Sequence, residues 1–158
     1  MLFNLLGFNL SWLGLIFFGN AFIPFTLFWL GLHLYWCKQI KPEAKLILVI
    51  VLIGTLVDTT LHSAKVLIFP QDHFIPLWLI ALWASFAATI AHSLQLLKSS
   101  ALLQALVGFV FPPLSYIGGA SLSSVELGYS HFKTYLILAL IWSFLMVVFF
   151  KIKENFYR

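Results

Sequence analysis

Charge is what this sequence has least of. Of 158 residues, nine are Lys or Arg and five are Asp or Glu, 9% charged in all, where a soluble domain carries about a quarter. A domain of this size exposes too much surface to remain in water with so few charges. A soluble globule is therefore excluded. So is a disordered tail, which needs low hydrophobicity and high charge. Cysteine is nearly absent, and the lone Cys37 can make neither an internal disulfide nor a Cys/His metal ribbon. The chain has no GxSxG elbow, HExxH, Walker loop or GxGxxG, so no ready-made hydrolase, zincin or nucleotide site is present. Its basic residues come in short clusters between apolar runs rather than as a stripe, which excludes nucleic acid as a partner.

What the chain does have is apolar side chain. Hydrophobic residues make up 62% and aromatics 18%, and the mean hydropathy is +1.02. The lipid bilayer is the solvent this composition fits, and the expected fold is an all-α polytopic bundle in one domain, residues 1–158. About 20 residues cross the hydrocarbon, so the run from Leu2 to Trp36 is too long for one span. Gly19–Asn20 and Pro24 divide it into spans near 2–18 and 22–37. Pro42 stops the second. Further spans are expected near 44–64, 75–97, 101–120 and 134–150, separated by Phe69–Pro70–Gln71–Asp72–His73, Lys98–Ser99–Ser100 and the polar stretch 121–133. Met1 opens directly into apolar sequence with no basic n-region, so the first segment reads as a retained helix.

Six spans put both termini on one side with Lys38, Lys41, Lys45, Lys98, Lys151, Lys153 and Arg158, leaving only Lys65 and Lys133 opposite. The positive-inside rule makes that side cytoplasmic, hence an N-in/C-in membrane protein.

Ionisable groups inside a bilayer are expensive and are functional candidates by default. Asp58, His62 and Lys65 stand at i, i+4 and i+7, on one face of the third span, flanked by Thr55 and Thr59. Asp58 falls about two thirds of the way across. Functionally, Asp58 and His62 make a general acid/base pair or proton relay. Structurally, they make a neutralised buried Asp, with Lys65 snorkelling outward. Two ligands alone do not make a metal site, so none is assigned and no cofactor is named. In the fourth span, Ala84–Ala88 and Ala87–Ala91 are small-xxx-small pairs that suit close packing. His92 there and His33 on the second span both lie toward the cytoplasmic end, where they can meet. Pro112–Pro113 removes two donors from the fifth span and is expected to kink or break it. The freed carbonyls then need protein or water, and the Tyr116 hydroxyl is one candidate to cap them. Ser115, Tyr116 and Gly119 follow at once, in the same half of the bundle as Asp58, His62 and Glu126. This convergence makes Asp58, His62, Tyr116 and Glu126 the candidate catalytic residues, with Trp83, Ser115, Thr55 and Gly119 around the pocket.

Several of these residues recur in one order: Gly54…Asp58, Phe69–Pro70, Pro76–Leu77–Trp78, Leu82–Trp83…Phe86, His92–Ser93–Leu94, Pro113–Leu114–Ser115–Tyr116…Gly119 and Val125–Glu126–Leu127, with Leu32–His33–Leu34 before them. That order resembles a bacterial integral membrane family, the domain-of-unknown-function family 2878. The resemblance implies a bacterial integral membrane protein with no assigned reaction. It marks Asp58, Trp83, Tyr116 and Glu126 as matching positions without giving them roles.

Three function classes follow. The first is a membrane-embedded enzyme, or accessory subunit of one, acting on a lipid or other apolar molecule. The second is an assembly protein serving a membrane-protein partner or a homo-oligomer. The third is a small oligomeric transporter with Asp58 as its coupling carboxylate.

Overall fold

The computed structural model describes residues 2–70 and 74–158. The loop residues Gln71, Asp72 and His73 of the expected third turn lie outside them. The helices are α1 (Leu2–Phe18), α2 (Ile23–Trp36), α3 (Ile40–Ser63), α4 (Leu77–Ile90), α5 (Ala101–Ser121) and α6 (His131–Phe156). A two-stranded antiparallel ribbon pairs β1 (Leu67–Ile68) with β2 (Glu126–Leu127), Leu67 opposite Leu127.

The surface of the bundle is the reverse of a soluble one. Leu52, Leu56, Leu140 and Phe144 are 61–70% exposed, whereas α1 buries Asn4, Gly7, Ser11 and Gly14. Large apolar groups face outward, and small or polar ones face the neighbouring helices, as packing in lipid favours. Among the described residues, four helical segments are long and apolar enough to cross a membrane: Leu2–Trp36, Ile40–Ser63, Ala101–Ser121 and His131–Phe156.

The first of these folds back on itself. A 3-10 turn at Gly19–Phe22 joins α1 to α2, and Gly19 adopts φ +54°, a conformation that favours glycine. Phe3 at the start of α1 therefore stacks on Trp29, 4.1 Å away, and touches Trp36 near the end of α2 at 4.9 Å. Gly7 gives the Trp29 indole its place, since a Cβ there would overlap the ring. Beyond the hairpin the helices continue to alternate in direction. Asn4 reaches His33 and Ala88, and Tyr157 reaches Glu43. The starts of α1 and α3 thus share one end of the bundle with the ends of α2, α4 and α6.

Two expected elements differ. The helix expected over 75–97 is confined to Leu77–Ile90, about 21 Å long. A tight turn and a 3-10 segment, Gln95–Leu97, follow it. Pro112–Pro113 does not interrupt α5, which runs unbroken from Ala101 to Ser121. Pro113 removes the amide that would bond the Phe109 carbonyl, and the Tyr135 hydroxyl of α6 donates to that carbonyl instead, at 3.1 Å. Ser143 Oγ donates similarly to Ala105 O. Gly108 brings the two backbones together, since a Cβ there would lie 2.3 Å from the Trp142 carbonyl oxygen. The neighbouring helix thus supplies what the proline withdraws. Tyr116, expected as a capping group for these carbonyls, is engaged elsewhere.

Candidate functional site

The buried residues of α3 form one stripe: Glu43, Leu46, Ile50, Gly54, Asp58 and Leu61. Asp58 is wholly inaccessible. Its carboxylate accepts from Trp83 Nε1 of α4 at 2.7 Å and from the Tyr116 hydroxyl of α5 at 2.8 and 3.0 Å. The Trp83 indole lies against Gly54, where a Cβ would fall 2.1 Å from the ring, and stacks flat on Trp142 of α6 at 4.9 Å. One carboxylate therefore gathers α4 and α5 onto α3.

The expected acid/base pair takes a different form. His62 stands one turn beyond Asp58, but α3 ends at Ser63. The imidazole Nδ1 lies 3.2 Å from Leu67 O and 3.3 Å from Phe69 N, against the ribbon backbone. Lys65 sits past the helix end at φ +54°, exposed. Among the described residues Asp58 has hydrogen-bond donors and no ion pair. Glu126 is exposed on β2. Thr55 is half-buried on α3.

Trp83 and Tyr116 also face a cavity of about 610 Å³ between α1 and α5, floored by α4 and α6. Ser115 and Gly119, two further expected pocket residues, line it, whereas Asp58, His62, Thr55 and Glu126 do not. Trp12 Nε1 donates to Ser115 Oγ at 2.5 Å and ties α1 to α5 along one stretch. Gly119 lets Ile16 approach just beyond, and Ser124 Oγ donates to its carbonyl at 2.8 Å. Toward the other end, exposed Leu5, Leu96 and Phe111 form the rim. The walls are almost entirely apolar.

A second cluster, at the end that holds both termini, includes a residue the sequence reading passed over. Glu43 is fully buried. His33 Nε2 lies 2.8 Å from Oε1, and His92 Nε2 lies 3.3 Å from Oε2. The Tyr157 hydroxyl donates to Oε2. Burial, together with the Glu43 carboxylate, pushes the Tyr157 phenol well above its ordinary value, so it remains a donor. Asn4 Nδ2 donates to Ala88 O at 2.9 Å and faces His33 Nδ1 at 3.4 Å, while Ser93 Oγ donates to Asn4 Oδ1 at 2.6 Å. His33 and His92 meet as expected, their rings 4.6 Å apart, edge to face. Glu43 escaped notice because Lys-Pro-Glu-Ala-Lys reads as a surface loop. The available signal was its register, one turn before Leu46 on the apolar stripe of α3.

Taken together, these features define an α-helical protein whose long apolar helices are compatible with a membrane. The chain belongs to a family described as a protein of unknown function, DUF2878, whose model matches residues 1–148. No curated protein and no solved structure matches it.

Proposed function

We propose that this is a six-span bacterial inner-membrane protein, N-in and C-in, that takes a lipid or other apolar molecule from the bilayer into the cavity between α1 and α5. The cavity carries the reading. At about 610 Å³ it falls in the size range of small-molecule sites. Its apolar walls suit a hydrocarbon rather than water, and the exposed rim at Leu5, Leu96 and Phe111 gives lateral entry. Trp83 and Tyr116, fixed from behind by Asp58, add an indole and a phenol to its wall.

Val107→Trp fills the cavity from α5, whereas Leu140→Trp changes an outward position on α6. Native mass spectrometry of gently solubilised protein is expected to show an apolar adduct on wild type and Leu140→Trp, reduced at least tenfold on Val107→Trp. An adduct-free wild type with a fixed partner or copy number would overturn this reading in favour of an assembly role.

A catalytic version has one specific support, the Tyr116 phenol that both lines the cavity and donates to Asp58. There Asp58 and His62 would be the acid/base pair, and the Tyr116 hydroxyl would turn from Asp58 to donate a hydrogen bond to the occupant. Proton coupling for transport would use the same carboxylate.

The alternating helix directions support the topology, as do the seven basic residues carried on helix ends, connections and the last residue at one end. Reporters fused after Lys41 and Lys98 are expected to read cytoplasmic, and one after Ser123 external. An external reading after Lys98 would overturn the six-span arrangement.

A further inference from the structure

We propose that His33, Glu43 and His92 form a binding site for a divalent first-row transition-metal ion, of which Zn²⁺ is the test case. The site is separate from the cavity and does not depend on its occupant. The side chains come from α2, α3 and the turn after α4; His33 and Glu43 are ten residues apart across a short connection and His92 comes much later, yet their ligand atoms all lie within 4.8 Å of one another. Two imidazole nitrogens and one carboxylate oxygen are a donor set that such ions favour over Mg²⁺ or Ca²⁺. At zinc bond lengths, tetrahedral ligand atoms stand about 3.4 Å apart. His33 Nε2 stands 2.8 Å from Oε1 and His92 Nε2 3.3 Å from Oε2, and the set spans no more than 4.8 Å, so shifts of about an ångström bring the three ligands to one ion.

Two observations point to a missing cation. Glu43 is fully buried, and among the described residues no lysine or arginine pairs with it, although Lys41 and Lys45 flank it in sequence. A buried carboxylate needs compensating positive charge. The second is His92 Nε2, which is itself buried and lies 3.3 Å from Oε2 without a well-aligned hydrogen bond to any described residue. An ion seated between these atoms would satisfy both groups.

The surroundings provide outer support. Tyr157 holds the second carboxylate oxygen. Asn4 stands at His33 Nδ1, the place where metal-bound imidazoles usually find a polar partner. Coordination through Nε2 puts the His33 proton on Nδ1. The Asn4 amide would then turn over to accept it, releasing Ala88 O and offering its N–H₂ to Ser93 Oγ. Three protein ligands leave a fourth position for water or a bound molecule.

The test uses the full chain with any affinity tag removed. Purified protein is stripped with chelator, reloaded with Zn²⁺ and desalted, and its metal is then counted by mass spectrometry. Wild type should retain one equivalent per chain. Glu43→Gln and His92→Ala should each weaken Zn²⁺ at least 100-fold, and Tyr157→Phe no more than tenfold. Because His92 is about one-third exposed, His92→Ala should remain folded, which keeps the comparison valid if Glu43→Gln does not. Co²⁺ in place of Zn²⁺ should give the intense visible bands of a four-coordinate N/O site in wild type alone. Wild type retaining no more metal than His92→Ala, with no Co²⁺ bands, would overturn the proposal.

Discussion

Asp58→Ala should destabilise the folded protein by about 2–6 kcal/mol, since it strands the buried Trp83 N–H and Tyr116 O–H and each unsatisfied donor costs about 1–3 kcal/mol. That range approaches a domain's entire margin, so unfolding in mixed micelles, followed by far-UV circular dichroism, should shift markedly. Asp58→Asn keeps the shape and one good acceptor, but turns an amide N–H₂ toward a donor. It should lose about 1–3 kcal/mol. If Asp58 served only as a titrating carboxylate with no structural part, Asn would abolish activity or coupling while leaving stability unchanged. The geometry predicts loss of stability first. Trp83→Phe and Tyr116→Phe supply the remaining corners of the cycle, and each should be strongly non-additive with Asp58→Ala.

Gly54→Ala should cost about 3 kcal/mol although it adds one methyl group. The new Cβ would stand 2.1 Å from the Trp83 ring, and that ring cannot retreat. It stacks on Trp142 on one side and bonds to Asp58 at its edge. Overpacking of this kind costs about 1–3 kcal/mol, and a tilted indole also loses its hydrogen bond. The diagnostic is rescue: Gly54→Ala combined with Trp83→Leu should cost much less than the sum of the two. Simple addition of the two costs would show that the new methyl group clashes with something other than the Trp83 ring.

The parts of this protein legible in its sequence are those where one residue type is costly in its place. An aspartate in an apolar run announced Asp58, and small residues after a proline pair announced the α5 segment that meets it. What stayed hidden depends on where helices end and what lies beside them. Asp58 and His62 keep their i, i+4 spacing inside α3, yet Asp58 turns to Trp83 and Tyr116 and His62 to the backbone at Leu67 and Phe69, partners that only tertiary packing supplies. Pro112–Pro113 looked like a break because the acceptor for its missing donors, and the Tyr135 hydroxyl that serves one of them, sit on different helices. Glu43 lay between lysines, and only tertiary packing removes it from water.

The Asn4 contacts also set a timetable. Its partners Ala88 and Ser93 lie 84 and 89 residues later in the chain. At about 5–20 residues per second of synthesis, they emerge roughly 4–18 s after Asn4. Throughout that interval the hairpin of α1 and α2 holds a polar amide that awaits its proper acceptor. Its first two helices are therefore completed only by sequence not yet made when they emerge.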